Sequence, residues 1–99
     1  MWLITLFDLP VSTKSERKRA THFRNQLLNL GFQMTQFSVY MKYCPSTENA
    51  ESVKEKIKKI VPKYGNVKVI QITDKQFGNI LHLSSQKNNA IHNEQLALF

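Results

Sequence analysis

Residues 2–10 form an almost unbroken apolar run, interrupted by Asp8 and closed by Pro10. A run this short, rich in Trp, Ile, Thr and Phe, predicts a strand, and its near-continuous hydrophobicity predicts burial on both faces. Proline has no N–H to give a ladder, so the strand stops before Pro10. Asp8 is thereby placed at the strand's carboxyl end, where the backbone leaves the core and meets solvent.

The pattern then changes to helical spacing. Ala20, Phe23, Leu27 and Leu30 recur on one face of a helix reaching about Leu30. Thr13 and Glu16 have the spacing of a capping box, Ser12 is an alternative cap, and Gly31 closes the helix. Alternation returns from Phe32 to Tyr43. Phe32 and Met34 are in one phase, and Phe37, Val39 and Met41 are in the other. The flip predicts a bulge or bend near Thr35–Gln36. A second helix, capped by Ser46 or Thr47, runs to about Val61 with Ala50, Val53, Ile57 and Ile60 as its stripe. Gly65-Asn66 is a turn signal. Val67–Thr73 reads as a third strand, Asp74-Lys75-Gln76 as a tight connection, and Phe77–Leu83 as a fourth strand with Gly78 as a bulge. Ser84–Asn93 is polar linker. Gln95–Phe99 is a last apolar segment, too short to bury itself, and is expected to add as an edge strand.

This order fits an α+β class, a ferredoxin-like βαββαβ sandwich over residues 1–83, with residues 84–99 as linker and C-terminal dimerisation strand. Both helices cover one sheet face. The other face is left for a second subunit to cover.

Composition narrows the function. The chain has 99 residues, enough for one domain, and 41% hydrophobic content, too much for a disordered chain. Fourteen Lys and Arg against seven Asp and Glu give a net charge of +7. That excess points to a polyanion, nucleic acid first and an anionic membrane second, against a merely solvated basic surface. One cysteine, Cys44, excludes an internal disulfide and fits a reducing cytoplasm. The apolar start is too short to span a membrane and lacks a basic region before it.

Several blocks are familiar together: Leu6-Phe7-Asp8-Leu9-Pro10, Glu16-Arg17-Lys18, Phe32, Gln36-Phe37-Ser38-Val39-Tyr40 and Thr73-Asp74-Lys75-Gln76-Phe77. From Trp2 to about Leu83 the chain resembles the small adaptation protein of CRISPR systems, the Cas2 family, in the branch that accompanies type II systems. The resemblance implies a ferredoxin-like homodimer packed sheet against sheet, with the C-terminal strand crossing to the partner. It implies a scaffold for spacer acquisition that binds duplex DNA and bridges dimers of the Cas1 integrase. It also implies a magnesium-dependent endonuclease acting on single-stranded RNA or double-stranded DNA, with Asp8 as catalytic and metal residue.

On chemistry alone, one Asp8 from each subunit could share a magnesium ion across a two-fold axis, since Mg2+ keeps several waters and needs few carboxylates. The alternative is that Asp8 accepts backbone N–H groups in the turn before the first helix. Many family members carry Tyr where Phe7 stands, and Phe cannot hydrogen-bond. Lys14, Arg17, Lys18, Arg19 and Arg24 are the nucleic-acid-binding candidates, with Lys56, Lys59 and Lys63 weaker ones. Phe37, Ser38, Val39, Leu96, Leu98 and Phe99 are the expected dimer contacts, with base stacking as an alternative for Phe37. His22, His82 and His92 have no metal-ligand spacing. A function of a different class stays open: a regulatory or protein-interaction module that binds no nucleic acid.

Overall fold

The computed structural model describes residues 1–85. Seven elements follow one another: β1 (Trp2–Asp8), α1 (Lys14–Asn29), β2 (Gln33–Gln36), β3 (Val39–Tyr43), α2 (Thr47–Ile60), β4 (Asn66–Ile72) and α3 (Asp74–Gly78). The four strands make one antiparallel sheet in the order β2-β3-β1-β4. The first six elements give the expected ferredoxin-like βαββαβ order. Among the described residues no helix is long and apolar enough to cross a membrane.

Both long helices begin as their sequences predict. The Thr13 hydroxyl accepts from the Glu16 amide at 3.1 Å, and the Glu16 carboxylate accepts from the Thr13 amide at 2.9 Å. Ser46 accepts from the Asn49 amide at 3.0 Å. Gly31, at φ +100°, ends α1 in the left-handed region that glycine enters without penalty.

The helices lie over one sheet face. Leu3 and Phe7 of β1 and Tyr40 of β3 pack there against Phe23 and Leu27 of α1 and Val53 and Ile57 of α2. Phe7 meets Phe23 edge-on at 5.1 Å and lies tilted 5.5 Å from Tyr40. Cys44 is fully buried in the same core. Burial pushes its thiol pKa up, opposed by the charges of Lys42 and the N-terminus.

Three expectations need correction. β1 is buried on one face only: Leu3, Thr5 and Phe7 are buried, whereas Trp2, Ile4 and Leu6 are half-buried. The continuous apolar run therefore reflects two apolar faces, of which this chain's helices cover one. Phe32–Tyr43 is not one bent strand but a hairpin, β2 and β3 joined at Phe37–Ser38, with a register shift between Met34 and Gln36. The phase flip marked a reversal of direction, made through Ser38 at φ 64°. Phe77–Leu83 is not a strand. Thr73 and Gln76 form a second capping box, and the chain turns into α3. Phe77 then stacks flat on Trp2 at 3.8 Å. This places α3 at one end of the sheet face that the helices leave open. The expected crossing strand, with Leu96, Leu98 and Phe99, lies outside the described residues.

Candidate nucleic-acid interface at the Asp8 corner

β3 and β4 both run antiparallel to β1 and flank it. Their N-terminal ends therefore meet the carboxyl end of β1, and the loops that precede them flank Asp8. On the β3 side is the Phe37–Ser38 turn, tied to β1 by the Phe7 amide donating to the Ser38 carbonyl at 3.2 Å. On the β4 side is Tyr64–Gly65. Gly65 sits so close to β1's exit that a Cβ there would meet Leu9 Cδ2 at 2.2 Å, with the Asp8 carbonyl oxygen at 3.8 Å.

Asp8 shares the open sheet face with Ile4 and Leu6 because side chains alternate along a strand. Register places Asn66 directly opposite Asp8, and Lys68 opposite Leu6 on the same face. Asp8 is exposed, and its carboxylate accepts no hydrogen bond among the described residues. It is not a brace for the turn before α1. Two clefts meet at it. One, of 560 Å3, is lined by Leu6, Phe7, Asp8, Asn66 and Lys68. The other, of 210 Å3, is lined by Phe7, Asp8, Leu9, Val11, Arg24, Phe37 and Ser38.

The basic candidates divide. Lys14, Arg17, Lys18 and Arg19 line one exposed face of α1 together with His22. Arg17 donates to the Val11 and Ser12 carbonyls at 3.1 and 3.3 Å, which fixes the loop leaving Asp8. Arg19 donates to Ser15 Oγ at 2.8 Å. Lys14 and Lys18 have no partner among the described residues. Arg24 stands apart from these four: its guanidinium lies 5.7 Å from the Phe37 ring centre, inside the Asp8 cleft. Its Nε is buried without an acceptor among the described residues.

On α2, Lys54 and Lys58 are held by Glu51 and Glu55 at 2.8 and 2.6 Å. The Lys58 ammonium holds Glu55 below the usual carboxylate range, and Glu55 raises Lys58 in turn. Lys56 and Lys59 on α2 carry no such partner, nor does Lys63, which lies beyond α2 in the loop that leads into Tyr64–Gly65. Val39 is half-buried on the open face, whereas Phe37 is 78% exposed at the hairpin tip. His22 lies on the basic α1 face and His82 in the segment after α3; His92 lies outside the described residues.

Asn66, Lys68 and Tyr64 were not singled out by the sequence. Asn66 and Lys68 reach the Asp8 corner through strand register and Tyr64 through the loop before β4, and the one local signal was the Gly65-Asn66 turn. Tyr64 is 82% exposed with φ 62°. A side chain in this left-handed region costs about 1 kcal/mol or more relative to glycine.

The sequence matches the family model "CRISPR associated protein Cas2" over residues 1–80. The chain belongs to the Cas2 family. Among its relatives is the "CRISPR-associated endoribonuclease Cas2" of Flavobacterium psychrophilum, 50% identical over 78 residues, which are 79% of this chain and 68% of that protein. The protein of the same name from Streptococcus mutans strain UA159 is 36% identical over 98 residues, covering 99% of this chain and 90% of that one. The crystal structure of Streptococcus pyogenes Cas2 superposes with a TM-score of 0.65 at 19% identity, covering 85% of this chain and all of that one. That likeness speaks for the fold, and it agrees with the sheet order found here.

Among the described residues no three His, Cys, Asp or Glu side chains gather as a metal-binding group. A Cas2-family chain of this kind brings one carboxylate, Asp8, and one cross-strand amide, Asn66, to the corner. Such a donor set fits magnesium where substrate phosphates and water complete the octahedron.

Proposed function

We propose that this Cas2-family chain acts as a homodimeric scaffold in CRISPR spacer acquisition, binding the backbone of duplex DNA and bridging dimers of the Cas1 integrase. The observation that carries the reading is the exposed Asp8 corner, where the uncovered sheet face meets the basic start of α1. Ile4, Val39, Met41 and Ile70 leave that face apolar, with Ile70 45% exposed. A sheet face of this kind is stable when packed on a second layer. A second copy supplies that layer and doubles the cationic surface. Lys14, Lys18, Arg17 and Arg19 then contact phosphates without reading bases.

A second reading, a metal-dependent endonuclease cutting single-stranded RNA or double-stranded DNA, is favoured by the unpartnered Asp8 carboxylate and by the relatives' name. Asp8, with Asn66 beside it, would hold magnesium, and Asp8 of the second copy would complete the site. Magnesium held there would polarise a phosphate and lower the pKa of a bound water. Lys68 and Arg24, on either side of Asp8, hold the phosphate in place and balance its charge.

Titrating duplex affinity against salt tests the scaffold. Affinity should fall steeply as salt rises, and absence of binding at low salt would leave the protein-interaction class instead. Ile70→Glu should shift the protein to monomer in sedimentation; an unchanged dimer would remove the sheet face from the interface. Magnesium-dependent cleavage that Asp8→Ala abolishes would promote the nuclease, and cleavage surviving that change would remove Asp8 from it.

A further inference from the structure

The two loops that flank Asp8 each carry an exposed aromatic residue: Phe37 before β3 and Tyr64 before β4. Packing within the described residues of the chain explains neither. The Tyr64 ring touches no other aromatic and its hydroxyl has no partner among the described residues, yet it occupies a backbone conformation that favours Gly or Asn. Phe37 has a cation over its ring, Arg24, and is otherwise open to solvent.

Resting on the nucleic-acid reading above, we propose that Tyr64 and Phe37 are base-stacking platforms. Together they make the Asp8 corner a binding site for unpaired nucleotides of single-stranded nucleic acid. Every base has a π-face, so stacking of this kind tolerates any sequence. Bases within a duplex already stack on their neighbours and offer no free face. Phosphate attraction therefore serves duplex and single strand alike, and the two rings add affinity for the single strand. Arg24 lines the same cleft, and its guanidinium backs the Phe37 ring, so a cation stands beside a base stacked there. The two loops belong to strands separated by β1 alone, about 10 Å between backbones. A single chain crossing Asp8 can therefore reach both rings.

The test uses the full chain and two labelled probes at the same low salt, an oligothymidine and a duplex whose ends are both closed by non-nucleotide linkers. Tyr64→Asn keeps a residue that accepts the left-handed backbone and removes the ring; Tyr64→Phe keeps the ring. Tyr64→Asn should weaken oligothymidine binding roughly tenfold, leave the closed duplex within about twofold, and melt no lower than the parent. Tyr64→Phe should bind as the parent does. Unchanged oligothymidine binding by Tyr64→Asn would overturn the proposal, as would equal losses on both probes or a Tyr64→Phe variant as weak as Tyr64→Asn. In each of those cases the parent still binds DNA and the scaffold reading stands. Failure of the parent to bind either probe would overturn both.

Discussion

Phe7 and Asp8 are neighbours in sequence with opposite fates, and exchanging each for a smaller or neutral residue should separate stability from function. Phe7 is 8% exposed and sits between Phe23 and Tyr40, with ring centres 5.1 and 5.5 Å away. Phe7→Ala removes the ring and leaves a cavity that the sheet and α1 cannot close without moving their backbones. Burial of this kind costs about 3–5 kcal/mol when lost. A domain of this size has a total stability of only about 5–15 kcal/mol. At about 4–8 °C per kcal/mol, the melting temperature should drop by roughly 12–40 °C. Asp8→Asn changes an exposed side chain that holds nothing in the fold, so its effect should stay within about 0.5 kcal/mol, a few degrees at most. Thermal melts followed by circular dichroism, at one protein concentration because association shifts the midpoint, measure both. A Phe7→Ala melt within 5 °C of the parent, by the same scale under about 1 kcal/mol, would refute the core assignment. An Asp8→Asn loss above about 1 kcal/mol would show that the carboxylate braces the turn and is not free for a ligand.

Further outcomes can be checked on the same preparations. Thr13→Ala removes the side-chain arm of the α1 capping box, leaving the Glu16 amide without its acceptor, and should cost about 1 kcal/mol in urea denaturation, with Thr13→Ser nearly neutral. Gly31→Ala forces a Cβ into φ +100° and should cost about 1 kcal/mol by the same measurement; the nearby Lys42 ammonium at 3.0 Å can swing away and adds little. Cys44 should resist iodoacetamide in the native state and react readily in urea. Burial raises its folded pKa, so the unfolded chain loses that proton first. Its contribution is whole below the ordinary thiol pKa and fades as pH climbs through the folded value. Between about pH 8 and pH 10 the parent should lose more stability than Cys44→Ala does.

The elements most visible in the sequence were those whose signals are local. Thr13 with Glu16, the Ala20–Phe23–Leu27 stripe, Ser46, and the Asp8–Pro10 strand end each depend on spacing within a turn or two. The same capping logic was present in Thr73-x-x-Gln76, but the density of Phe77, Ile80, Leu81 and Leu83 suggested a strand. In the fold Leu81 and Leu83 are 77% and 85% exposed, so that density marks no ladder. The Phe32–Tyr43 phase flip was legible as an irregularity, while its size was not, because a bulge and a two-residue reversal shift the alternation alike. Asp8 was legible as an exposed strand-end carboxylate. Its neighbours Asn66, Lys68 and Tyr64 were not, since they lie more than fifty positions away and are brought in by cross-strand pairing that no local pattern encodes. Arg24 was grouped with the α1 cations by composition; its place over Phe37 follows from the hairpin turn.

The contact between Trp2 and Phe77 gives the molecule a built-in optical gauge. Trp2 is the only tryptophan in the chain. Its indole stacks on Phe77 and makes a T-shaped contact with Tyr43, at the far end of β1 from Asp8. Emission wavelength and quencher access therefore read out whether α3 is seated, without any added dye. An event at the Asp8 corner that is confined there leaves this signal flat, while one that repositions the whole uncovered surface registers in it at once.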